Sequence, residues 1–156
     1  MPAFEDRFSE IQADMVSLCL EYADENKAED FSVDNIYIYC SCETVEDSTW
    51  VEGNLFFRVD GKLIDSHMIN GAETFKDCVP EEQQDAVLDA LSECIEEARK
   101  VCKEFDRPMP TEMKLVYDVK SGNLDAAYQY DLILDKGEGK TCADVLEEWY
   151  AQLAKE

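Results

Sequence analysis

VDNIYIYCSC at residues 33–42, WVEGNLFFRV at 50–59 and KLIDSHMI at 62–69 decide the fold. β-Branched and aromatic side chains dominate these stretches, a composition suited to the pleated, half-buried surface of a strand. Asp60-Gly61, between the second and third stretches, is a tight-turn dipeptide, so the segments read as an antiparallel meander. In the second strand Val51, Leu55, Phe57 and Val59 fall on one face, with Trp50, Glu52, Phe56 and Arg58 on the other. The first set is predicted to lie under helices.

Upstream, Phe4, Phe8, Ile11, Met15, Leu18 and Tyr22 alternate spacings of four and three, which predicts one helix over about residues 3–25 with a single apolar stripe. The pattern stops at the polar run DENKAED, too soon for a coiled coil. Downstream, Pro80 followed by Glu81 and Glu82 suits a helix start, because proline fits the first turn and acids complement the positive end of the dipole. Val87, Leu88, Leu91, Ile95, Ala98, Val101 and Phe105 continue at helical spacing until RPMP, residues 107–110, stops it.

Residues 111–131 alternate apolar and polar around Ser121-Gly122-Asn123 and read as a hairpin. Leu115, Tyr117 and Val119 share a face with Leu124, Ala126, Tyr128 and Tyr130; Asp118, Asp125 and Asp131 point the other way. A last helix begins near Thr141, which stands at capping-box spacing from Asp144, and buries Val145, Leu146, Trp149 and Leu153. The expectation is one α+β domain over 1–156, in the order αβββαββα. Its five-stranded sheet is mainly antiparallel, with the helices packed on one side.

Charge bounds the function. The chain carries 37 Asp and Glu against 14 Lys and Arg, a net of -23 on 156 residues. Such a surface repels nucleic acid and acidic lipid and speeds encounter with a basic protein, so no direct nucleic-acid or membrane partner is expected. A solvated acidic surface that serves only solubility is the competing reading. With 46% hydrophobic residues the chain can still bury a core. No apolar stretch approaches the roughly 18 residues of a span, and residues 1–10 lack a signal-peptide pattern, so a cytoplasmic protein is expected.

Chemistry is hard to find. The seven Cys lack paired CxxC spacing and read as buried hydrophobes; Cys40 and Cys42, two apart on a strand, share a face. The lone histidine, His67, sits in a strand-like stretch and reads as structural. GEGKT at 137–141 resembles part of a phosphate loop, but Leu134 stands where that motif needs its first glycine. No EF-hand loop or nucleophile elbow is present, and neither enzymatic activity nor a cofactor is expected.

PTEMKLVYDVKSGNLDAAYQYD, residues 110–131, resembles the stretch carried by YezG-like immunity proteins, the bacterial antitoxins of polymorphic, LXG-type nuclease toxins. The likeness extends as a pattern over nearly the whole chain: amphipathic first helix, meander, long acidic second helix, and a C-terminal helix containing Trp149. It implies a small cytoplasmic α+β protein that binds the basic toxin domain of a secreted effector, often a nuclease, and keeps the producing cell alive. Two alternatives stay open: a nucleic-acid mimic or acidic adaptor acting on another basic partner, and a small-molecule enzyme built on carboxylates and thiols.

The contact surface has two candidates. In the loop CETVEDSTWVE, residues 42–52, the acids Glu43, Glu46, Asp47 and Glu52 surround Trp50, steering charges beside a possible hot spot. Trp50 capping the core from a strand end is the competing reading. The other candidate is the outer face of the hairpin, with Asp118, Asp125 and Asp131, acids that would otherwise simply solvate the sheet. Asp85, Asp89, Glu93, Glu96 and Glu97 on the second helix read as ordinary surface, with Glu96 placed to pair with Lys100.

Overall fold

Helix and strand signals resolve into the expected order: α1 (Phe4–Asn26), β1 (Val33–Val45), β2 (Ser48–Val59), β3 (Lys62–Asp65), α2 (Glu81–Glu104), β4 (Glu112–Asp118), β5 (Leu124–Gln129) and α3 (Cys142–Ala154). The structure, a computed structural model, describes residues 4–27, 31–45, 48–65, 80–130 and 142–154. His67, Cys78 and the GEGKT segment lie outside the described residues.

The strands form one antiparallel sheet in the order β3-β2-β1-β4-β5, which makes the molecule a single α+β domain. Asp60 and Gly61 both have positive φ, 47° and 82°, as the two central residues of a type I′ turn require, and so join β2 to β3 with the twist of the strands. Gly61 donates its N–H to Asp34 Oδ2 at 2.7 Å, pinning that turn to the start of β1.

α1 and α2 cover one sheet face. Met15, Cys19 and Tyr22 of α1 and Leu91, Ile95 and Ala98 of α2 pack on Ile36, Ile38, Leu55, Phe57, Val59 and Leu115. The buried stripe of α1 runs through Cys19, while Leu18 is only half-buried. α2 ends in a Schellman motif: Arg107 N–H donates to Cys102 O at 2.7 Å and Asp106 N–H to Lys103 O at 3.2 Å, with Asp106 left-handed at φ 55°. Pro108 follows and prevents another turn.

The sequence predicts all helices on one side of the sheet, whereas the structure places them on both. α3 crosses the opposite face, where Val145, Leu146 and Trp149 bury Tyr37, Tyr39 and Phe56 in a second core. The cause is the composition of β1 and β2, apolar on both faces around Ile36–Tyr39 and Leu55–Phe57, which needs cover from both sides. Trp149 meets Phe56 and Tyr37 edge-on, with ring centroids at 5.1 and 5.8 Å, and Tyr150 donates its hydroxyl to Leu63 O at 2.8 Å. Among the described residues no helix is long and apolar enough to cross a membrane.

Candidate partner-binding surface

Strand alternation sorts the acids expected from the sequence. Glu43 follows Tyr39 and Ser41 on the α3 face of β1 and is buried, 2% exposed, so it is not the solvent-facing steering charge the loop reading required. Glu52 is exposed on β2, directly across from Ser41. Trp50 lies within β2, opposite Glu43. Glu46, Asp47 and Asp131 lie outside the described residues. Glu112 joins this end of the face: it pairs with Ser41 from the other side, is buried, and accepts a 2.9 Å hydrogen bond from the Tyr39 hydroxyl. Its burial was not legible beforehand, because it sits at a strand start beside polar Thr111.

Asp118 and Asp125 lie on the same sheet face, but Asp118 is six residues of strand from Glu112, on the order of 20 Å, and Asp125, opposite Val116, is four, on the order of 13 Å. Asp118 is half-buried and occupied locally: its Oδ1 accepts the N–H groups of Lys120 and Ser121 at 3.0 and 3.3 Å. It shapes the β4–β5 turn. Asp125 is exposed on β5. The two expected groups are therefore not one site.

A larger acidic surface comes from the helices. Gln83 donates to Glu25 across 3.2 Å and Arg7 pairs with Glu104, which fixes α1 and α2 as antiparallel neighbours. Their outward sides carry exposed Glu10, Asp14, Glu21 and Asp24 on α1, and Glu82, Asp85, Asp89, Glu93 and Glu97 on α2. Spacings of three or four residues put a carboxylate roughly every 6 Å along α2, and α1 keeps that spacing except across the seven residues from Asp14 to Glu21. Packed helices stand about 8–10 Å apart, so the acids form two adjacent rows.

Exposed Lys100 and Lys103 stand at the C-terminal end of the α2 row, and two nearby arginines are engaged by acids outside the rows. Arg99 is held by Glu96 through Nε and Nη2 at 3.1 and 2.9 Å, an i,i+3 pair in place of the expected Glu96–Lys100 pairing, and Arg107 is held by Glu5 at 3.6 Å.

The thiols behave as core. Cys40 and Cys42 share the α1/α2 face of β1 as expected, and both are buried. Cys40 Sγ rests 3.7 Å from Met15 Sδ. Burial pushes the Cys42 thiol up to about 11, against a partial pull downward from Arg99, and raises Cys19 well above the thiol range. A thiol held neutral is a poor nucleophile and a poor metal ligand. Among the described residues no group of three or more His, Cys, Asp or Glu is arranged to hold a metal ion.

No family model matches this chain, and no curated protein does either.

Proposed function

We propose that the chain is an immunity protein: it binds the basic toxin domain of a secreted effector, a nuclease, in a stoichiometric complex in the cytoplasm and covers the cationic surface that would hold nucleic acid. The observation that carries this reading is the pair of acidic rows on α1 and α2, on a chain with net charge -23. Duplex DNA carries a charge about every 3.4 Å along each strand, denser than these rows but of the same sign and similarly elongated. A nuclease cleft lined with Lys and Arg to neutralise phosphate would meet the ridge with the charge it expects. The resemblance of residues 110–131 to YezG-like immunity proteins supports the same reading.

The test is protection. The basic C-terminal domain of an effector encoded beside this chain, induced in a susceptible bacterium, should kill alone and fail to kill when this chain is co-expressed, and the two should co-purify in equal amounts. Equal killing with and without the chain sinks the proposal.

A nucleic-acid mimic acting on a different DNA-binding protein draws on the same two rows. It predicts an intact complex with that protein and no protection against the neighbouring effector.

A further inference from the structure

Among the described residues β5 is an edge of the sheet, and the only charge in its sequence is Asp125. The strand's hydrogen bonds fix which backbone groups face β4 and which face away: Asp118 N–H donates to Asn123 O at 2.9 Å, and Gln129 O accepts from Thr111 N–H at 2.8 Å. With Val116 opposite Asp125 and Lys114 opposite Ala127, the odd-numbered residues turn their backbone toward β4. The N–H and C=O groups of Ala126 and Tyr128 therefore point outward. Edge strands are ordinarily blunted by lysine, proline or shortness. β3, the other edge, has four residues and carries Lys62, whereas LDAAYQ of β5 contains no lysine and no proline.

Beside this edge lies a cleft of about 330 Å³ lined by Phe4, Phe8, Gln12, Pro110, Tyr128 and Tyr130, among others. Tyr128 and Tyr130, 40% and 56% exposed, are the exposed large hydrophobic residues among those described, and both border the cleft. The cleft is held open in a defined shape: Gln12 Nε2 donates to the Tyr128 hydroxyl at 2.7 Å, and the Arg107 guanidinium lies 4.9 Å over the Phe4 ring. Its one lining base, Arg107, is balanced by Glu5.

We propose that the outer edge of β5 takes an extended, basic segment of the partner protein as an added strand, with an apolar side chain of that segment seated in the cleft between Phe8 and Tyr130. The idea deepens the proposed function and rests on it for the partner being a protein. Charge selects the occupant. A second copy would bring another -23 and its own Asp125 against this edge, whereas a segment bearing Lys or Arg meets Asp125 on a chain of strongly negative net charge. Strand addition supplies backbone hydrogen bonds along the edge, and the cleft supplies the buried anchor that slows dissociation.

The test uses a library of random ten-residue peptides, displayed on phage and selected on the intact chain. Winning peptides should alternate apolar residues with Lys or Arg and protect the amides of Ala126 and Tyr128 from hydrogen exchange. They should lose at least ten-fold in affinity toward Ala126→Pro, which removes an outward donor and no rung of the β4 ladder. Tyr130→Lys should cost a similar factor, and it keeps the test alive if the proline variant misfolds. Winners without that alternation, equal binding to both folded variants, or a dimer of the chain that Ala126→Pro dissolves would each overturn the proposal. The selection uses no toxin. A chain that protects cells yet selects no such peptides keeps the proposed function and loses this site; one that selects them yet protects against nothing keeps the site and loses the function.

Discussion

A Cβ placed on Gly53 would stand 2.9 Å from the Cβ of Leu91, closer than any side chain tolerates, with Ile95 Cδ1 at 3.3 Å. β2 thus presents bare backbone to the middle of α2, and this close approach sets how deeply the helix seats on the sheet. Gly53→Ala should push α2 outward and destabilise the fold by about 1–3 kcal/mol, the usual range for overpacking. Urea unfolding followed by circular dichroism checks it; an unchanged midpoint would mean that α2 does not sit this close.

Glu43 and Glu52 lie on adjacent strands and the same face, but only Glu52 meets solvent. Glu43→Ala should cost on the order of 1–3 kcal/mol in stability, since it strips a buried carboxylate away from whatever it contacts. Glu52→Gln should leave the melting temperature within about a degree. Thermal melts of the two variants, run together, separate a structural acid from a surface acid.

Cys19, Cys40, Cys42 and Cys102 are buried, and burial raises the pKa of Cys19, Cys42 and Cys102. At pH 7.5 an alkylating reagent should modify these four only upon unfolding, as peptide mass spectrometry before and after urea will show. The same burial makes stability fall in alkali. Cys42 rises from an ordinary 9.0 to about 11 and Tyr22 from 10.0 to about 12 on folding, so the unfolded chain releases those protons first. Their contribution is complete below about pH 9 and is lost as pH climbs through 11 to 12. Cys42→Ala should show a shallower decline than the parent chain between pH 9 and 11.

Trp149 joins the second core to the sheet. Trp149→Ala should cost about 3–5 kcal/mol, the typical loss for a buried large aromatic. Because Tyr37, Phe56 and Trp149 form one ring cluster, Phe56→Leu combined with Trp149→Ala should cost less than the sum of the two.

The elements were legible in the sequence because each one signals locally. Asp60-Gly61 marks the turn, Pro80 opens α2, and residues 111–131 alternate through a hairpin. Which side α3 takes was not read, although the signal existed: IYIY at 36–39 is apolar on both faces, and a strand buried on both faces needs a second layer. Met15-to-Leu18 and Met15-to-Cys19 are equally good helical steps, so the true stripe depended on what α1 packs against. The acidic rows were invisible for a different reason. Asp89 and Glu93 look like ordinary solvated surface until the antiparallel seating of α1 sets Asp14 and Glu21 beside them, and that seating is a tertiary fact.

The central claim is that these rows steer a basic partner onto the chain. The most direct measurement is the association rate with the neighbouring effector's toxin domain at roughly 50 and 500 mM salt, for the parent chain and for Asp14→Asn, Glu21→Gln, Asp89→Asn and Glu93→Gln combined. The account predicts a parent rate that falls steeply with salt. The folded variant should associate about ten-fold or more slowly at low salt and have a much flatter slope. Equal rates and equal slopes for the two proteins would contradict it.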